Sequence, residues 1–115
     1  MRAAVLLLLL AHWAQAAWDL AYFYDNERET LHFTALAFPS ANRGIATGVI
    51  VDERGEKRPR NVAMVTADGG STWSEVKLDD QPISLFFLND SQGWMVTRGG
   101  IWKTEESGRT WKRLS

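Results

Sequence analysis

The sequence predicts an all-β chain in which one supersecondary unit is used twice, and three observations predict it. The string Thr66-Ala67-Asp68-Gly69-Gly70-Ser71-Thr72-Trp73 returns after an interval of 38 residues as Thr104-Glu105-Glu106-Ser107-Gly108-Arg109-Thr110-Trp111. Around each copy lie four short apolar and β-branched runs separated by turn residues. Six Trp, five Phe and two Tyr are many for 115 residues, and large flat side chains suit the packing of sheet on sheet.

The repeated string reads as a tight hairpin. A carboxylate at Asp68 can accept hydrogen bonds from the backbone N–H groups just ahead of it, and Gly70 can take the positive φ that such a turn needs. Thr72 and Trp73 then open the next strand. In the second copy Glu106 replaces the aspartate, and its extra methylene predicts a looser turn.

Taken in order, residues 1–16 have the pattern of a secretory signal. Arg2 gives the positive start, residues 3–11 an apolar run, and Ala14-Gln15-Ala16 the small-x-small site, with cleavage expected after Ala16. The run is far short of the ~20 residues that span a bilayer, so no membrane span is expected after cleavage. Trp18, Leu20, Tyr22 and Tyr24 follow at period two, which predicts a leading strand. Polar residues 25–30 then break it.

From His32 the two units align. Gly44 falls on Gly93 and Leu36 on Leu85 at an offset of 49, whereas the turn strings are offset by 38, so the first unit carries eleven extra residues. They fall at 51–61, a charged stretch with glycine and proline that is expected to be a solvated hairpin insertion. The expected strands are 32–38, 44–51, 62–66 and 72–78 in the first unit, and 83–88, 93–97, 101–104 and 110–114 in the second. The second strand of each unit is nearly continuously apolar, which predicts cover on both faces.

A four-stranded antiparallel sheet repeated every 40 to 50 residues or so is a propeller blade. The expected architecture is therefore all-β: two four-stranded antiparallel propeller blades, a partial β-propeller, after a cleaved signal peptide. Its parts are the signal at 1–16, a leading strand and linker at 17–30, blade 1 at 31–79 and blade 2 at 80–115. Rings close with about four to eight blades. The chain thus reads as a fragment with further blades expected, and its unpaired flanks should invite association with other chains.

Composition narrows the function classes. A net charge of −1 provides no field to attract nucleic acid. Without cysteine there is no disulfide, thiolate metal site or cysteine nucleophile. Once the signal is removed His32 is the single histidine, which supports neither zinc nor a triad. Asp79, Asp80 and Asp90 lack the spacing of a calcium loop, so no metal and no cofactor are expected. Asp79-Asp80 and Glu105-Glu106 are carboxylate pairs, but sequence neighbours on a strand point to opposite faces and are badly placed to flank one glycosidic bond. Turn and solvent roles are expected of them. The basic string Lys57-Arg58-Pro59-Arg60 is the weak binding candidate, with Lys57, Arg58 and Arg60 at a tip that could dock on an acidic surface. Asp52, Glu53 and Glu56 largely balance it.

The form Ser/Thr-x-Asp-x-Gly-x-Thr-Trp resembles the Asp-box, or BNR repeat, of β-propellers such as sialidases, sortilin and the photosystem II assembly and stability factors. Thr66, Asp68, Gly70, Thr72 and Trp73 match it throughout; Thr104, Gly108, Thr110 and Trp111 match around the deviant Glu106. Leu85-Phe86-Phe87-Leu88-Asn89-Asp90-Ser91-Gln92-Gly93-Trp94 is similar to the strand pair that begins blades of the bacterial assembly-factor type. The resemblance implies a structural role for these turn residues. It also implies a non-catalytic, exported protein, periplasmic or extracellular, that binds another protein; assembly or stability of an envelope or membrane complex is one version. Its alternative is a fragment of an exported propeller-type glycosidase, sialidase-like or glucanase-like, whose catalytic blades are missing. The sialidase arginine signature does not occur here, and nothing pairs Tyr22 or Tyr24 with a base.

Overall fold

The computed structural model describes residues 29–114. The signal, the leading strand with Tyr22 and Tyr24, and most of the linker lie outside the described residues. Eight strands follow one another: β1 (Glu29–Ala37), β2 (Gly44–Asp52), β3 (Arg60–Thr66), β4 (Ser74–Leu78), β5 (Pro82–Phe87), β6 (Gly93–Thr97), β7 (Gly100–Thr104) and β8 (Lys112–Arg113). They form two four-stranded sheets in the orders β1-β2-β3-β4 and β5-β6-β7-β8, with every pairing antiparallel. Each is a meander of the propeller-blade type, and no helix occurs among the described residues.

Equivalent irregularities show that the two blades share one plan. The β1 to β2 register shifts between Phe33 and Ala35, and the β5 to β6 register shifts between Pro82 and Ser84. The extra residues, Thr34 and Ile83, stand at the repeat offset of 49. A bulge at this point bends the first strand of each blade in the same way.

The blades pack face to face. Alternation sends Ile45, Ala63, Val65, Val76 and Leu78 of blade 1 to one side, where they meet Leu85, Phe87, Met95, Trp102 and Trp111 of blade 2. Ile45 and Met95 are fully buried, and each such side chain contributes roughly 1.5–3 kcal/mol by leaving water. The opposite face of blade 1 holds a second cluster of Leu31, Ala46, Ile50, Val62 and Met64, with Trp73 against it. First strands β1 and β5 lie side by side. Toward the other edge the sheets part around a cleft of ≈ 170 Å³ between β4 and the second turn string.

Three expectations are corrected. Residues 51–61 are not a solvated loop throughout, because Asp52 pairs with Glu29 across β1 and Arg60 with Ile50 across β2. The insertion lengthens the hairpin by several rungs and confines the loop to 53–59. Strands β4 and β8 begin at Ser74 and Lys112, two residues later than Thr72 and Thr110, since the turn itself holds the intervening residues. Finally, β2 is buried on both faces as expected, but β6 is not: Val96 is exposed where its counterpart Thr47 is buried. No described sheet covers that side of blade 2.

Gly108 is where turn and interface meet. Its φ is +88°, and a Cβ there would come within 3.0 Å of Ile45 Cγ1 in the neighbouring blade. Gly108→Ala is expected to destabilise the chain by about 1–3 kcal/mol through backbone strain and crowding together. Thermal unfolding followed by near-UV circular dichroism checks this, with Ser107→Gly as control: Ser107 has φ 60°, and removing its side chain should leave stability unchanged or raise it by up to about 1 kcal/mol.

Candidate functional site

The repeated turn is built from its threonine outward. Thr66 ends β3, and its hydroxyl oxygen accepts the N–H groups of Asp68 (3.3 Å) and Gly70 (2.9 Å). Thr104 does the same for Glu106 (3.2 Å) and Gly108 (2.9 Å). Both hydroxyls are buried, so these bonds satisfy donors that would otherwise be costly to enclose. The chain then reverses through two left-handed residues: Gly69 (φ 72°) and Gly70 (φ 97°) in one copy, Ser107 (φ 60°) and Gly108 (φ 88°) in the other. The first of each pair donates its N–H to the loop after the blade's opening strand, Gly69 to Asn42 O (2.9 Å) and Ser107 to Ser91 O (3.0 Å). Trp73 and Trp111 fold back, each indole N–H donating to the carbonyl of the turn glycine, at 3.0 Å on Gly70 and 2.8 Å on Gly108. Their rings stand edge-on to Phe38 and Phe87, with centroids 6.3 Å apart in both blades.

The two copies differ at the carboxylate. Asp68 Oδ1 accepts from Thr66 Oγ1 (2.8 Å) and Thr72 N (2.9 Å), and Oδ2 from Thr72 Oγ1 (2.5 Å). The Thr72 hydroxyl, with the Thr72 N–H and the Thr66 hydroxyl, holds the Asp68 pKa down to about 2 from its ordinary 3.8. Glu106 makes no such side-chain bond among the described residues; a backbone bond from Arg109 N to Glu106 O (3.1 Å) spans the turn instead. The second turn keeps its path and lacks the brace.

Other carboxylates are also engaged with the chain's own donors. Asp52 closes the long hairpin, accepting from the N–H groups of Arg54 (3.2 Å), Glu56 (3.0 Å) and Lys57 (3.0 Å). Partial desolvation opposes ionisation there, but these N–H groups outweigh it and lower the Asp52 pKa. Asp80, half of an acidic pair in the sequence, bridges strands of blade 2: Oδ2 accepts from Trp102 Nε1 (3.0 Å) and Thr97 Oγ1 (3.2 Å). Its partners lie 17 and 22 residues away, so only the tertiary pairing brings them to it. Asp79 and Asp80 line the inter-blade cleft with Arg109 and Trp111.

The basic string does not form one patch. Lys57 and Arg58 are exposed at the loop, whereas Arg60 lies in β3 and reaches Glu29 (2.7 Å) and Glu75 (3.3 Å). Arg60 makes a cross-sheet tie, in which the Glu75 bond, against some desolvation, and the Glu29 bond raise its pKa. Among the described residues no group of three or more His, Cys, Asp or Glu is placed to hold a metal ion, and no helix is long and apolar enough to cross a membrane.

No protein-family profile matches this chain, and no curated protein matches it. Among solved structures it is similar to YCF48 from Cyanidioschyzon merolae, with 21% sequence identity over 79% of this chain and a TM-score of 0.43. The match covers 39% of that chain, so the present chain spans about two-fifths of that structure.

Because the folded pKa of Asp68 is depressed, its contribution to stability is full above the ordinary value near 3.8 and is lost as pH falls through about 2. Asp68→Asn is expected to flatten the fall in melting temperature between these values. Glu106→Asp, which restores the shorter arm, should steepen it; parallel thermal melts of the three proteins from neutral pH to pH 2 or so provide the check.

Proposed function

We propose that this chain is an exported, non-catalytic repeat protein of the BNR β-propeller type, which binds another protein and serves the assembly or stability of an envelope or membrane complex. The observation that carries the proposal is the use made of its carboxylates. Asp52, Asp68 and Asp80 spend their oxygens on N–H and O–H donors of their own turns and strands. Groups fixed in this way shape a scaffold rather than turn over a substrate. The bonding around Thr66, Asp68, Gly70 and Trp73 supports the Asp-box identification, in which the turn residues are structural.

Apolar side chains support the protein-binding part. Phe33, Leu36 and Ile83 are exposed on the opening strands β1 and β5 and are available to a polypeptide partner. Export is supported by the signal pattern of residues 1–16.

N-terminal sequencing of the exported chain is expected to begin at Ala17. Proximity labelling in the source cells should recover components of one envelope complex, and Phe33→Asp with Ile83→Asp should reduce that recovery at unchanged melting temperature. Sialidase or glucanase activity that disappears on Asp79→Asn or Asp80→Asn would sink the proposal.

A further inference from the structure

The edge of blade 1 far from β1 is the strand β4. Among the described residues β4 pairs only with β3, and the chain leaves it at Asp79 for β5 of the other sheet, so the next strand of the meander does not lie beside it. The two sheets part at this edge around the inter-blade cleft, which keeps it clear of blade 2. Ser74, Glu75 and Lys77 are exposed. Alternate N–H and C=O groups of such a strand point outward without a ladder partner, and an edge of this kind is either blocked by its side chains or used for pairing.

The side chains of β4 separate these two cases. Glu75 pairs with Met64 and Lys77 with Val62, which puts both charges on one face; Val76 stands on the other, where it lines the cleft. The strand thus carries an anion one residue before Val76 and a cation one residue after it. Arg60 already holds the Glu75 carboxylate in place on its face. A blocked edge carries charge of one sign, which repels its own copy. Blade 2 has an edge of that sort: at the repeat offset of 38, Ser74 and Glu75 become Lys112 and Arg113, and β8 consists of these two cations. The edge of blade 1 is instead complementary to itself.

We propose that β4 pairs edge to edge with β4 of a second copy, antiparallel and in register at Val76, across a two-fold axis normal to the sheet. Val76 then meets the partner's Val76, Glu75 meets the partner's Lys77, and Lys77 meets the partner's Glu75. Opposite charges directly across two strands stabilise the pair, and like charges there oppose it. That rule also selects the register. Sliding to the next register that keeps the faces sets Glu75 on the partner's Glu75 in one direction and Lys77 on the partner's Lys77 in the other. The four strands of blade 1 become half of a continuous eight-stranded sheet, and the outward N–H and C=O groups of both edges are satisfied together. An isologous contact of this kind closes on itself and ends at a dimer.

Sedimentation velocity of the full chain is expected to show a concentration-dependent monomer–dimer equilibrium. Lys77→Glu and Glu75→Lys each set like charges at both ends of the pair, and each should weaken the dimer about tenfold. An equimolar mixture of the two variants restores opposite charges and should recover the dimer as a heterodimer, which a merely damaged fold would not do. The chain has no cysteine of its own, and cross-strand Cα separations of about 4.5–5.5 Å suit a disulfide. Val76→Cys should therefore cross-link to itself on oxidation faster than Leu36→Cys, which is exposed on β1. A monomer at every concentration, a dimer indifferent to Lys77→Glu, a mixture no tighter than either variant alone, or equal cross-linking at the two cysteines would each overturn the proposal. Where Glu75→Lys fails to fold for want of its tie to Arg60, Lys77→Glu and the cross-linking decide. None of these variants alters Phe33 or Ile83, so the result is independent of the partner proposed for β1 and β5.

Discussion

One bonded pair recurs in each blade and the rest is arranged around it. A threonine hydroxyl at the end of the third strand accepts the N–H of a glycine, and that glycine's carbonyl accepts a tryptophan indole. The first bond fixes the reversal, and the second turns the indole back over the turn instead of letting it continue along the fourth strand. For Trp111 this places the ring among the buried residues between the blades, with Gly108 close against Ile45. Blade geometry and blade packing thus depend on the same few atoms. That is why a residue with no room for a methyl group stands there.

The carboxylate is the dispensable part of this arrangement. Asp68 joins Thr66 to Thr72, and the turn containing Glu106 follows the same left-handed path without that link. Hydroxyl and indole bonds therefore set the conformation, while the aspartate stabilises it in a manner that depends on pH. Acidic residues elsewhere show the same economy: Asp52 ties three N–H groups of one loop and Asp80 joins two strands.

The two blades are alike in backbone and unlike in surface. Blade 1 has a long hairpin held by Arg60 between Glu29 and Glu75, and both faces of its β2 are buried. Blade 2 has a short hairpin at Arg98-Gly99 and one face of enlarged apolar and aromatic side chains in solvent.

The sequence alone determined the four strands of each unit, the two-unit plan and the turns, because these follow from local rules: spacing of like residues, β-branched and aromatic runs, and glycine where φ must be positive. Tertiary structure decided what depends on distant partners. Thr72 and Trp73 fell within the turn because their hydrogen bonds close on Asp68 and Gly70 before pairing with β3 can begin. Arg60 left the basic loop for an ion pair with Glu29, 31 residues away, and Asp80 found an indole across the sheet. Which face of an apolar strand would be covered was also beyond the sequence, since β2 and β6 read alike and only the position of the neighbouring sheet separates them.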